Sequence, residues 1–193
     1  MTTIPVTGFD PSMKNWGVVR GQYDLVAETL SVEHVSVINP VLPTGKQVRQ
    51  NSRDLEAAQQ LAKGCLAAVE GAHAIFVEVP HGSQSARAMA SYGLCVGVLG
   101  GLRAAGIPFI EVTATEVKMI ATGRKSATKN DMIEWAIQAN READWPYYTR
   151  NGVLRVSEAK AEHMADALAA IYAGIRTNAF QSMLPFFKSA IAS

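Results

Sequence analysis

The 193-residue sequence holds only two cysteines, Cys65 and Cys95, each inside an apolar stretch and neither with a partner at disulfide or metal-site spacing. They read as buried thiols of a reducing compartment, and a disulfide-stapled secreted mini-protein is excluded. Charge of one sign is also lacking. Lys and Arg number 18 against 17 Asp and Glu, a net charge of +1, so no global field draws the chain to nucleic acid, membrane or acidic substrate, and any charged partner must be met by local patches. Long hydrophobic runs are missing as well. Arg103 interrupts the most apolar stretch and no basic segment precedes Ile4, so neither a spanning helix nor a signal peptide is expected, and the cytoplasm is the expected address. There is no internal repeat and no low-complexity segment. What is present, 48% apolar and 18% charged residues, suits one soluble domain with a sizeable core.

The first third reads as an antiparallel meander. Residues 4–9 form a short apolar run that ends in Asp10-Pro11-Ser12, and Trp16-Gly17-Val18-Val19 opens a second. Alternation in Tyr23–Glu28 and Val32–Asn39 predicts a third strand with room for a fourth, before an exposed connection at 40–50. From Asp54 the apolar spacing is helical, up to a stop at Gly71. Ala74–Pro80 is a buried-strand pattern and 84–104 a long helix with a ridge of small residues at Ala86, Ala90, Gly93, Gly97 and Gly101, suited to internal packing or to a subunit seam. Ile107–Val112 is a strand, and 113–122 and Lys129–Glu142 are helices. Residues 143–156 read as loop. Ser157-Glu-Ala-Lys opens a helix to about Arg176, followed by a short apolar tail. The order predicts an α/β fold with a mixed five-stranded sheet and helices on both faces, one domain over 1–177 and a tail at 178–193 packed on it.

Three acids interrupt apolar elements: Asp10 after the first strand, Glu78 at the end of the strand that follows the first helix, and Asp166 within the last long helix. Residues at the carboxyl ends of neighbouring strands share the crevice of an open sheet, and a closing helix can face them. Clustered carboxylates repel unless cations bind. Oxygen ligands favour hard divalent ions, and two such ions about 3.5–4 Å apart can activate water for phosphodiester hydrolysis. His163 precedes Asp166 by three residues and shares its helix face, as a fourth ligand or as a base; Glu162 points about 100° away from it and ranks lower. The segment from Val117 to Asn130 carries Lys118, Arg124, Lys125 and Lys129 and no acid, a local anion-binding patch. Lys46, Arg49 and Arg53 form a second acid-free group, read as a solvated loop.

Taken in order, Gly8-Phe-Asp10-Pro-Ser with Trp16-Gly-Val-Val, Ile75-Phe-Val-Glu78-Val, Val117-Lys118 through Thr122-Gly123-Arg124 to Lys129, and His163-Met-Ala-Asp166-Ala-Leu-Ala resemble the RuvC family of Holliday junction resolvases over residues 6–175. The resemblance implies a ribonuclease H-like fold and a homodimer that nicks two opposing strands of a four-way DNA junction with Mg²⁺ or Mn²⁺, two ions to each active site. It maps Asp10, Glu78 and Asp166 onto metal-binding acids and Lys118 and Lys129 onto lysines of the active-site rim. Arg124, Lys125 and His81 join Lys118 and Lys129 as expected DNA contacts. Two positions depart from the family pattern: His163 stands where an acid is common, and His81 where an aromatic often wedges into the junction centre. The 178–193 tail has no clear counterpart. A bacterial cell or a phage-infected one is the implied setting. Two other functions compete, a non-catalytic protein that binds branched DNA on the same fold and a phosphotransferase of the actin and sugar-kinase superfamily, for which one domain leaves too little room.

Overall fold

The computed structural model describes residues 2–45, 47–82 and 84–192, so Lys46 of the second basic group lies outside the described residues. Strands β1 (Thr3–Asp10), β2 (Trp16–Asp24) and β3 (Thr29–Ile38) form the antiparallel meander, and α1 (Gln50–Ala68) crosses over to β4 (Ala74–Glu78). Helix α2 (Ala86–Ala104) leads to β5 (Ile110–Val112), and α3 (Ala114–Thr122) and α4 (Lys129–Ala139) follow. A hairpin of β6 (Tyr147–Arg150) and β7 (Val153–Val156) precedes α5 (Glu158–Gly174) and α6 (Asn178–Ala192). The five-stranded sheet has the order β3-β2-β1-β4-β5, with β4 parallel to both β1 and β5. This is the mixed sheet that the sequence predicts. Among the described residues no helix is long and apolar enough to cross a membrane.

Side-chain alternation divides the core in two. Phe9, Val18, Ile75 and Val77 pack with Ala57 and Leu61 of α1 and Leu99 of α2, while Ile4, Val6, Val19 and Phe76 pack with Leu168 and Ile171 of α5. Helices therefore cover both faces. Cys65 and Cys95 are free and buried in the first of these clusters, and burial pushes both thiols up, Cys95 to about 12. Phe180 of α6 is fully buried, its ring edge-on to Phe76 at 5.3 Å and to Tyr23 at 5.6 Å.

Local chemistry moves several boundaries away from those the sequence suggests. Residues 25–28 form a turn and not a strand: Asp24 Oδ1 accepts the amides of Val26 and Ala27 at 2.8 Å, and Glu28 has a φ of 56°. The meander thus has three strands. Helix α1 starts at Gln50 rather than Asp54, its first turn tied by the Gln50 amide donating to Asp54. Strand β5 is shorter than expected because residues 107–109 make no ladder pairs. Helix α4 ends at Ala139, before Asn140 with its extended φ of −143°. The segment read as loop at 143–156 contains the β6–β7 hairpin, whose Asn151-Gly152 turn has φ of 52° and 74°. Asn-Gly between β-rich flanks is the usual signature of a two-residue type I′ turn.

Two glycines on the sheet admit α5. A Cβ on Gly17 would overlap the carbonyl of His163, and one on Gly8 would overlap the carbonyl of Ala167 and the side chain of Ile171. Gly17→Ala is expected to lose about 3 kcal/mol or more of stability, since a helix carbonyl cannot yield as a side-chain tip can. Gly100→Ala on α2, where a Cβ meets nothing within 4 Å, is expected to be neutral or to gain about 0.5 kcal/mol. Thermal unfolding of the two variants compares them directly. Equal stabilities would refute this account of how α5 is seated.

Candidate active site

On β1 the residues that face α5 are Ile4, Val6 and Gly8, and the next in that alternation is Asp10; on β4 they are Ala74 and Phe76, and the next is Glu78. The two strands are parallel, with Phe9 opposite Val77, so Asp10 and Glu78 lie at adjoining positions at the carboxyl ends of neighbouring strands. Across the ladder on the other side, Asp10 pairs with Gly17, the glycine that lies under His163. The seating of α5 therefore delivers His163 to Asp10, Nδ1 to Oδ2, at 2.5 Å. Asp166 follows one turn later on the same helix face. Asn15, in the turn between β1 and β2, fastens this end of α5 by donating its side-chain amide to the carbonyl of Ala159 at 3.0 Å.

The carboxylates strain one another electrostatically. Burial, then the charges of Asp10 and Asp166, push Glu78 up to about 9 against the opposing charge of Lys118. Its Oε2 is buried and has no hydrogen-bond partner. Asp166 is pushed up to about 7 by burial and then by Asp10, with Glu162 adding to the rise and His163 and Lys118 opposing it. For His163, burial favours the neutral ring, but the Asp10 hydrogen bond and the charges of Asp10, Glu162 and Asp166 outweigh it and raise its pKa. Asp10, Glu78, His163, Asp166 and Lys118 are thus within electrostatic reach of one another. Lys129 stands at the rim, its Nζ 2.7 Å from Glu162 Oε2; that hydrogen bond raises its pKa, and the charges of Asp166 and Asp10 add to the rise.

Three expected residues sit apart from this cluster. Arg124 is paired with Asp131 at 3.1 Å, where Asp131 also closes the capping box of α4 with Thr128; Lys125 is exposed between α3 and α4; and His81 is exposed in the segment after β4. Glu162 is more involved than its helical angle suggests. It holds Lys129, and its Oε1 lies 3.6 Å from His163 Nε2. No local signal links Lys129 to Glu162, because the pair forms only when α4 packs beside α5.

The donor set is rich in hard oxygen ligands and includes one buried oxygen without a partner, which fits a divalent cation such as Mg²⁺ or Mn²⁺. Among the described residues no three His, Cys, Asp or Glu side chains already form a ready ligand group.

No protein-family model matches the chain, and neither does any curated protein. Solved structures do. Thermus thermophilus RuvC superposes with a TM-score of 0.61 at 21% identity, over 94% of this chain and 96% of that one. The same protein in complex with a Holliday junction substrate gives 0.58 at 20% identity, over 89% and 96%. The yeast mitochondrial Holliday junction resolvase Ydc2 gives 0.57 at 15% identity, over 95% and 83%. These likenesses establish an α/β fold of the ribonuclease H-like kind.

Two raised carboxyl groups give the protein a definite pH dependence. A carboxyl whose folded pKa lies above its unfolded value binds its proton more tightly in the folded state, so stability is lost as pH rises from about 4 toward 9. His163, also raised, loses its contribution in the same direction. The melting temperature of the metal-free protein is expected to fall between pH 5.5 and 8.5, and Glu78→Gln to flatten the fall. Added Mg²⁺ should raise the melting temperature more at pH 8.5 than at pH 5.5. A melting temperature that climbs over this range would contradict the electrostatic account.

Proposed function

We propose that this chain is a resolvase of the RuvC family, a divalent-metal-dependent endonuclease that acts as a homodimer on Holliday junctions and other branched DNA. The observation that carries the proposal is the adjoining position of Asp10 and Glu78 at neighbouring strand ends, with an unpartnered buried oxygen on Glu78 and with Asp166 and Lys118 within electrostatic reach of it. Such a site suits a phosphodiester, whose charge needs both cations and lysines beside it. The likeness in fold to RuvC, solved in complex with a Holliday junction, supports the choice of substrate. In this reading residues 1–177 are the nuclease and the segment from 178 covers its core.

Asp10, Glu78 and Asp166 would hold the metal through oxygen, with His163 as the nitrogen donor at the same site. A bound divalent cation would supply charge neutralisation at the scissile phosphate and would acidify the attacking water. Water adds to phosphorus, the bond from phosphorus to the 3′ oxygen breaks, and the products are a 5′-phosphate and a 3′-hydroxyl once that oxygen takes a proton. His163 holds Asp10 in place through Nδ1, which leaves Nε2 as the atom that can take a metal or the proton of the water. Lys118 and Lys129 offset the charge that builds on the phosphoryl oxygens. The Glu162 contact fixes Lys129 at the rim before DNA arrives. Paired cuts related by two-fold symmetry need two such sites, and hence two chains.

Cleavage of a synthetic four-way junction in Mg²⁺ tests the proposal. Asp10→Asn, Glu78→Gln and Asp166→Asn should each lower the rate by about 10²-fold or more while junction binding persists. Undiminished cutting by Asp10→Asn would sink the assignment. Tight binding without cutting in Mg²⁺ or Mn²⁺ would instead favour a non-catalytic junction binder, and a monomeric mass with and without junction DNA would remove the dimer.

A further inference from the structure

The β6–β7 hairpin is absorbed by nothing in the proposed chemistry. Among the described residues it pairs only with itself, as a two-stranded sheet apart from the main one, and all of its residues except Val156 are exposed. Directly paired residues share a face, so the register of Tyr148 with Arg155 and Arg150 with Val153 puts one tyrosine and two arginines on one side of the ribbon. Tyr147 and Leu154 lie on the other, Leu154 at 65% exposure. Isolated two-stranded ribbons are marginal in water. From Trp145 to Ser157 there is no acid, and among the described residues neither Arg150 nor Arg155 makes an ion pair.

The placement ties this ribbon to the active site. The Ser157 amide donates to the Pro146 carbonyl and closes the base of the hairpin at the first turn of α5. His163 lies six residues further on, about 9 Å along the helix axis, or roughly two to three nucleotides of one strand in a duplex. Asn15 binds the same turn of α5 to the segment that follows Asp10.

We propose that the β6–β7 hairpin is a nucleic-acid contact, in which Arg150 and Arg155 neutralise backbone phosphates beside the scissile position and Tyr148 stacks on a base that the branch point leaves unpaired. This rests on the nuclease reading for the position of the substrate. Charge complementarity selects the partner: a ribbon face with an aromatic ring and two guanidiniums that make no ion pair among the described residues suits a phosphate backbone with accessible bases. It adds an arm on α5's flank that the lysines of α3 and α4 do not provide.

The test measures the affinity of wild type and variants for a fluorescent four-way junction, without divalent cation, between 50 and 200 mM NaCl. Arg150→Ala with Arg155→Ala should weaken binding about tenfold, and the plot of log affinity against log salt should flatten by about 2. Arg150→Lys with Arg155→Lys should keep the wild-type salt slope, and Tyr148→Ala should weaken binding about fivefold or more with the slope unchanged. Circular dichroism and melting temperature identify any variant that has unfolded, in which case the lysine pair and Tyr148→Phe carry the comparison. If wild type binds and cuts junctions while the alanine pair matches it in affinity and slope, the hairpin proposal is overturned and the nuclease reading stands. If wild type binds without cutting and the alanine pair loses affinity as described, the hairpin proposal stands and the nuclease reading fails. A change in self-association with DNA affinity intact would make the ribbon a protein contact and overturn the proposal.

Discussion

Everything at the candidate site depends on how closely α5 lies on the sheet. The helix is lined with alanine on its buried side, at Ala161, Ala165, Ala167, Ala169, Ala170 and Ala173, and the sheet answers with Gly8 and Gly17, where any side chain would strike the helix backbone. At the far end the relation is reversed: Gly174 makes room for the ring of Phe76. Backbone-to-backbone approach of this kind leaves little freedom in register. A slide of one helical turn would set a carbonyl against a different strand residue and remove His163 from Asp10. The packing of small residues is thus the device that fixes the distance between groups supplied by the first and the last thirds of the chain.

That rigidity has an electrostatic cost, and the cost is tied to function. Seating α5 on the sheet buries Glu78 and Asp166 with Asp10 nearby and raises both carboxyl groups, as burial and like charge dictate. A more stable protein would keep these acids apart or leave them in water. The hydrophobic contacts of Phe76, Leu168, Ile171 and Phe180 a few residues away offset the repulsion, so the strained end of the sheet sits on a well-packed one. Sites that hold unfavourable charge in place are the ones ready to gain most from a cation.

Much of this was legible in the chain, for reasons that lie in local periodicity. Period-2 alternation places Asp10 and Glu78 on the ends of strands, and period-3.6 spacing places His163 and Asp166 on one helix face. The ordered motifs then suggest a common site. The roles of Gly8 and Gly17 were not legible, because a glycine in a strand looks the same whether a helix rests on it or a bulge follows. The helical angle of Glu162 points away from His163, yet contact with Lys129 from a neighbouring helix gives it a place at the rim. The hairpin is legible only in its turn: Asn151-Gly152 between Tyr-Tyr-Thr-Arg and Val-Leu-Arg-Val satisfies the rule for a two-residue turn, but the mixed polarity of residues whose two faces are both exposed hides the alternation.

The net charge of +1 takes on a different meaning once the ion pairs are placed. Arg87 is paired with Asp54, Arg103 with Glu111, Arg124 with Asp131 and Lys129 with Glu162, so each of these cations is oriented by an acid before any ligand arrives. Lys118 faces the carboxylates, while Lys125, Arg150 and Arg155 make no ion pair among the described residues. Whole-chain charge sums all of these alike and so predicts indifference to an anionic polymer. Pairing sorts them by availability. Cations held by acids are fixed in place, as Lys129 is at the rim, whereas the unpaired ones keep their field for solvent or for a phosphate. An almost neutral chain can thereby keep unpaired cations on an exposed ribbon and on the loop between α3 and α4 while its acids gather at the end of the sheet.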